Sequence, residues 1–441
     1  MALTIIGGGL AGSEAAWQAA KSGIPVRLFE MRPQRLTGAH TTASLGELVC
    51  SNSLRSDDPV SPSGILKREL EMAGSLIMEA ARRTSVPAGG SLAVDRTLFS
   101  GLITEKIMSH PLIEVIREEV SLLPEGFCIV ATGPLTSEAM TSALKSHMDS
   151  AYLSFYDAIA PIVSSESIDF TKVFQSSRYG KGGDDYINCP MDEEAYNRFY
   201  DALVSADRVV ARDFENIKVF EGCMPVEVMA ERGKDTLRFG PLRPVGLIDP
   251  MTGKQPYAVV QLRTENREKT AYNMVGFQCR LRWPEQERVF RLIPGLENAE
   301  FLRYGSIHRN TFINSPKLLS DDLSLKSRAT LFIAGQLSGV EGYLESTAMG
   351  LLSGISAVRK MLASPFIPAP ETTAHGSLLR YITRYEGEAF QPSNINLGLF
   401  PPLGKKVKDK GLKKTMIAQR ALRDWEEYLR QAVVIREGVG T

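Results

Sequence analysis

Neither sign of charge dominates this sequence: 51 lysines and arginines balance 51 aspartates and glutamates over 441 residues. No global field therefore draws the chain to a polyanion, and any nucleic-acid contact has to come from a local patch. The five cysteines, Cys50, Cys128, Cys189, Cys223 and Cys279, are odd in number, widely spread and without a C-x-x-C pair. This spacing argues against a disulfide framework and a zinc site, and reduced thiols in the cytoplasm are the simplest expectation. No metal is expected. Also lacking is any uninterrupted apolar run of membrane-spanning length, so a soluble chain is expected. The apolar opening ALTIIGGGLAGSEAAWQAA has no basic region ahead of it and carries three consecutive glycines and Glu14, so it reads as a strand and a helix start rather than a signal peptide. The length predicts two or three domains.

What is present begins with G-x-G-x-x-G. Gly7, Gly9 and Gly12 follow a four-residue apolar strand directly, with Gly8, Leu10 and Ala11 between them. A small-residue helix (Ala15, Ala16, Ala19, Ala20), Gly23 and a second strand VRLFE ending in Glu30 complete a βαβ fingerprint. Its glycines allow a tight turn and close approach of a pyrophosphate to the helix N-terminus, and Glu30 is placed to accept from ribose hydroxyls, with Met31 and Arg32 beside it.

Two distant segments point to FAD. FCIVATGP, residues 127–134, is a strand running into Thr132 and Gly133. TLFIAGQLSGVEGYLESTAMGLLSG, residues 330–354, is a strand ending at Gly335 and Gln336, followed by a small-residue helix. The expected fold is α/β, a Rossmann-like FAD-binding domain built from both ends of the chain, residues 1–159 and 295–441. Between them, residues 160–294 break into short strands with proline and glycine punctuation and a helix at MDEEAYNRFYDALVSA, which predicts an α+β insertion domain. No second G-x-G-x-x-G follows a strand, so NAD(P)H is expected as a transient reductant at the flavin.

Three cysteines read as packing: Cys128 in a strand, Cys189 in NCP and Cys279 in FQCRL. The other two differ. Cys50, in ELVCSNSLRS, is followed by serines, an asparagine and Arg55, which suits either a reactive loop thiol or a half-buried loop cysteine. Cys223 lies on a turn-like GCMP. Near the C-terminus, Lys405, Lys406, Lys408, Lys410, Lys413, Lys414, Arg420 and Arg423 fall within nineteen residues opposed only by Asp409. On a helical wheel Ile417, Ala421, Trp425 and Leu429 share one face while Lys413, Arg420 and Arg423 point away. That surface is either simply solvated or binds phosphates.

The series GGGLAGSEAAWQAAKSGIPVRLFEMRP, ELVCSNSLRS, SVPAGGSLAVDR, FEGCMPVEVMAERG, FGPLRPVGL, YAVVQLR, RYGSIHRNTFINSP and AGQLSGVEGYLES resembles, essentially end to end, the folate- and FAD-dependent tRNA (uracil-5-)-methyltransferases, the TrmFO family. The resemblance implies methylation of the T-loop uridine at position 54 of tRNA, with methylenetetrahydrofolate as carbon donor and reduced FAD as reductant. It implies Cys223 as the thiol that adds to C6 of uracil and Cys50 as the second functional thiol, near the flavin, flanked by polar donors because it faces the reaction chamber. It places His308, Glu341 and Tyr343 at the folate, the two rings offering a flat face with a polar edge. Lys405, Lys406, Lys413 and Lys414 become the expected tRNA contacts. Two neighbouring activities share parts of the pattern: the same chemistry on ribosomal RNA, and the flavoproteins that install carboxymethylaminomethyl groups on wobble uridine. The shorter chain, CSNSLRS and FEGCMP stand against the second.

Overall fold

The computed structural model describes residues 1–148, 152–180, 182–209, 224–387, 390–404 and 406–433. Its first sheet, mostly parallel, has six strands: β1 (Leu3–Ile6), β2 (Val26–Phe29), β3 (Ile113–Ile116), β4 (Cys128–Val130), β5 (Ser324–Leu325) and β6 (Arg328–Ile333). They lie in the order β5-β6-β4-β1-β2-β3, parallel except for the β5–β6 hairpin. The inner strands are mainly apolar, as expected of parallel strands covered on both faces, while Arg27 and Glu114 mark the exposed edge. Leu3, Ile5, Leu28, Ile129, Val130 and Phe332 are fully buried.

This order gathers distant chain segments. Parallel neighbours end on the same sheet edge, so the Gly7–Gly9 turn after β1, Glu30 after β2, Thr132 and Gly133 after β4 and Gly335 after β6 stand side by side there. The sheet changes direction between β1 and β4, which is where open α/β sheets bind ligands.

Two helices fix that edge. Helix α1 (Leu10–Lys21) starts at the glycine turn, and a long helix (Tyr343–Met361) packs along it. The contact is close because of two glycines: a Cβ on Gly350 would lie 2.3 Å from the Ala11 carbonyl oxygen, and one on Gly354 3.0 Å from that of Ala15. Any larger residue at Gly350 would push the helix pair apart.

Between the two halves of this core lies a second six-stranded sheet, antiparallel throughout. In spatial order its strands are Phe174–Gln175, Tyr186–Met191, Ala258–Thr264, Ala271–Met274, Ile162–Ser164 and Phe301–Arg303. The edge strand Phe301–Arg303 lies past residue 294, on the returning chain. A helix (Glu193–Val204) with Asp192 accepting from the Ala195 N–H at 2.8 Å covers it, as the MDEEAYNRFYDALVSA pattern predicts. Its hydrophobic cluster, which includes Phe199, Phe277 and Phe290, is separate from that of the first sheet. The two units are joined by an antiparallel strand pair, Tyr152–Ile159 with Ser306–Ile313.

The basic C-terminal segment forms a helix (Lys410–Ala432) capped by Asp409, whose carboxylate accepts from the Leu412 N–H at 2.6 Å. Ile417, Ala421 and Trp425 are buried and Leu429 is half-buried, as the wheel predicts. Trp425 anchors the helix: its indole N–H donates to the Glu69 carbonyl at 2.7 Å and its ring stacks on His375 at 4.1 Å. Glu69, on the helix Pro62–Met72, accepts from the N–H groups of Ala374 and His375 at 2.7 and 3.0 Å, capping a further helix (Ala374–Arg384).

Candidate functional site

The edge where β6, β4, β1 and β2 end opens into a cleft whose empty space, counted with the open solvent at its mouth, is about 1020 Å³. Gly7, Gly9, Leu10, Ala11, Glu30, Met31, Arg32, Thr132, Gly133, Gly335 and Gln336 all line it. The three motif glycines do different work. A Cβ on Gly12 would lie 1.8 Å from the Gly7 carbonyl oxygen, and one on Gly7, at φ +105°, 2.5 Å from that of Ala131, so both are required by close packing. At Gly9 the position of a Cβ has no protein atom within 4 Å. That space belongs to the cavity, at the start of α1, whose first N–H groups have no partner within the helix.

Gly8 is packed from behind. Its N–H donates to Glu30 Oε2 at 2.8 Å, and the same carboxylate accepts from Arg32 through its backbone N–H (3.0 Å), Nε (2.9 Å) and Nη2 (3.0 Å). Burial alone would raise the Glu30 carboxyl, but Arg32 outweighs it and holds the group below its ordinary value. Glu30 is therefore a buried carboxylate with its ring of donors already assembled. Arg32 also reaches Glu47 at 3.0 Å. His40, beside them on the cavity wall, is pushed down to about 4 by burial and by the charge of Arg32, so it is neutral at physiological pH.

The loop carrying Cys50 closes one side of this cavity, with Val49 among the lining residues. The Cys50 backbone N–H donates to the Tyr343 hydroxyl at 2.8 Å, and Tyr343 also lines the cavity. Three arginines hold the carbonyls and polar side chains around the thiol. Arg96 donates to the carbonyls of Leu48 (2.6 Å) and Cys50 (2.7 Å), Arg303 to that of Val49 (2.9 Å), and Arg263 to Ser51 Oγ (2.7 Å) and Asn52 Oδ1 (3.0 Å). Of the polar neighbours of Cys50, Asn52 is fully buried and donates to the carbonyls of Val94 and Thr264. It stitches the loop to the inserted sheet. Arg55, close in sequence, is engaged elsewhere by the buried carboxylate of Glu345. The three arginines close or open the stretches LAVDR, VVQLR and RYGSIH, but nothing in their local patterns says that they converge.

Residues 2–365 match the family described as glucose inhibited division protein A, GIDA. The methylenetetrahydrofolate–tRNA-(uracil-5-)-methyltransferase TrmFO of Geobacter sulfurreducens is 59% identical over 432 residues, 97% of this chain and 99% of its own length. The protein of the same name from Moorella thermoacetica is 59% identical over 423 residues, 96% of this chain and 97% of its own. The chain belongs to the TrmFO family. Among solved structures, Aquifex aeolicus GidA in its form II crystal superposes with a TM-score of 0.72 at 16% identity, covering 99% of this chain and 74% of that one. This similarity shows the shared fold.

The other TrmFO-like positions are placed unevenly. Cys223 and Lys405 lie outside the described residues. His308 is on the strand Ser306–Ile313, in register with Asp157. Glu341 is buried and accepts from the Gln336 amide at 2.8 Å, which ties it to the turn after β6. Lys406, Lys413 and Lys414 are exposed. Arg420 does not point away as the wheel suggests: it donates to the carbonyls of Pro401 (2.5 Å) and Pro402 (3.0 Å), fixing the preceding loop, and Arg423 pairs with Asp424 at 2.9 Å. Cys128, Cys189 and Cys279 are fully buried, and burial pushes the Cys128 thiol up to about 12, as packing residues require.

Proposed function

We propose that this chain is a methylenetetrahydrofolate–tRNA-(uracil-5-)-methyltransferase that forms 5-methyluridine at position 54 of the T-loop. The observation that carries the reading is the meeting of a dinucleotide cradle with the Cys50 loop and Tyr343 at one cavity, in a chain 59% identical over nearly its whole length to proteins of that name. The residues fit FAD: the cavity at Gly9 leaves room for a pyrophosphate against the N-terminus of α1, and Glu30 stands at the end of the second strand for the ribose.

C5 of uracil is a weak nucleophile until a group adds at C6, and a thiolate is the side chain suited to that addition. In this reading Cys223 adds to C6, the electron pair moves to C5, and C5 bonds to the methylene carbon donated by the folate. Loss of the C5 proton to a base, with cleavage of the carbon–nitrogen bond to the folate so that tetrahydrofolate leaves, gives an exocyclic methylene, with Cys50 as the second thiol of the site. FAD held at the Gly9 turn and Glu30 would supply, in its reduced form, the hydride that makes this methylene a methyl group, and release of Cys223 from C6 restores the ring. His308, Glu341 and Tyr343 hold the folate, and NAD(P)H would be the transient reductant that recharges the site. Lys405, Lys406, Lys413 and Lys414 contact tRNA phosphates, and extrusion of the target base into the site costs a few kcal/mol that pocket contacts must offset.

The test is mass mapping of modified nucleosides in tRNA and ribosomal RNA from cells with and without the protein. The expected result is loss of 5-methyluridine from the T-arm and its return on complementation. A change confined to ribosomal RNA or to the wobble position refutes the reading.

A further inference from the structure

The arginines around the Cys50 loop come from both structural units. Arg96 opens a helix (Arg96–Ser109) of the FAD-domain side, Arg263 lies on the central strand of the inserted sheet, and Arg303 lies on its edge strand. Each is bound to the loop, and together they touch every residue from Leu48 to Asn52. Three residues beyond Cys50 the loop becomes a strand of its own small sheet. Without these contacts its link to the inserted unit would rest mainly on the Asn52 amide.

The charges at this junction do not balance. Glu265 pairs with Arg96. The hydrogen bonds from Arg263 and Arg303 to the loop go to carbonyl, hydroxyl and amide oxygens, all neutral. Arg263 is 6% exposed. Burial, with Arg96 close by, pushes both the Arg263 and Arg303 guanidiniums down from their ordinary value, while for Arg96 the attraction of Glu265 outweighs burial. All three guanidiniums also feel Cys50. The Tyr343 hydroxyl accepts from the Cys50 backbone N–H, and the nearby Arg55–Glu345 pair neutralises itself. Three cations and one carboxylate thus stand around the loop that carries the thiol, and a cation removed from water favours a neighbouring anion strongly.

We propose that Arg263 and Arg303 are positioning residues for Cys50: from the inserted sheet they fix the backbone and side chains on either side of the thiol, and their positive charges hold it as the thiolate. The inserted unit then does more than carry Cys223. Its seating on the FAD domain assembles the charged state of the other cysteine. This rests on the functional reading only for the use made of the thiolate, since the charge state is measurable without any RNA.

The experiment is the pH dependence of iodoacetamide alkylation in the FAD-bound protein, with Cys50 and Cys223 resolved by peptide mass mapping. Wild type is compared with Arg303→Gln, Arg303→Lys and Arg263→Gln, and flavin absorbance confirms that each variant retains FAD. Losing a positive charge disfavours the thiolate, so the midpoint for Cys50 should rise by about one unit or more in the two Gln variants, an approximately tenfold loss of reactivity at pH 7. Arg303→Lys should keep the midpoint near wild type while lowering kcat for uridine methylation, because the charge stays and the fork geometry is lost. Should Arg263→Gln fail to retain FAD, the half-exposed Arg303 variants decide alone. An unchanged Cys50 midpoint in FAD-bound Arg303→Gln overturns the proposal whatever the protein methylates. A shifted midpoint in a protein that leaves tRNA unmodified supports it and refutes only the substrate.

Discussion

Tyr343 and Cys50, 293 residues apart in sequence, are joined by a 2.8 Å hydrogen bond in which the cysteine backbone N–H donates to the phenol oxygen. Tyr343 is the first residue of the long helix packed on α1, so the bond links the thiol loop to the element that sets the position of the glycine turn. Replacing Tyr343 with Phe leaves that N–H without its partner at a half-buried site, a loss of about 1 kcal/mol. FAD content should be retained, kcat for methylation should fall, and Cys50 should become more accessible to alkylating reagents in titrations at fixed pH. A variant with wild-type kcat and wild-type Cys50 labelling would show that the bond has no role in placing the loop.

Two neighbouring glycines should separate folding from cofactor binding. A side chain at Gly9 meets no protein atom and projects into the cavity, whereas one at Gly12 collides with the Gly7 carbonyl. Gly9→Val is therefore expected to fold with a Tm close to wild type measured without flavin, and to purify colourless. Gly12→Val should lose several degrees or fail to fold, the cost of a strained turn being about 1–3 kcal/mol. Full flavin occupancy in Gly9→Val would remove this turn from the FAD site.

The lysines at the start of the C-terminal helix should supply affinity without chemistry. No ion pair involves Lys406, Lys413 or Lys414 among the described residues, while Arg420 and Arg423 are engaged within the protein. Changing Lys405, Lys406, Lys413 and Lys414 together to Gln should weaken tRNA binding and flatten its salt dependence by about 0.9 in log–log slope for each phosphate that is no longer neutralised. The rate of flavin reduction by NADPH should not change. Substituting Arg420 instead should lower stability, because it ties down the loop at Pro401 and Pro402.

The assignment of Cys223 as the group that adds to C6 is testable with an RNA carrying 5-fluorouridine at the target, since fluorine does not leave as the C5 proton does. The RNA should be trapped covalently, peptide mapping should place it on Cys223, and Cys223→Ala should lose the adduct while keeping FAD. An adduct on Cys50 would exchange the roles of the two thiols, and none on either would end the thiol-addition mechanism.

The cradle was legible from sequence because its physics is local. A tight turn needs glycine at fixed spacing, a parallel strand buried on both faces is continuously apolar, and a surface helix buries one side with a 3.6-residue period. These rules set β1, α1 and β2 and the buried face at Ile417, Ala421 and Trp425. Which charges meet Cys50 was settled only by tertiary structure. Arg96, Arg263 and Arg303 sit in unremarkable strand ends and helix starts, and Arg55, five residues from the cysteine, is claimed by Glu345. A buried ion's partner is chosen by distance in space and by the cost of leaving it unpaired, and neither leaves a periodic mark on the chain.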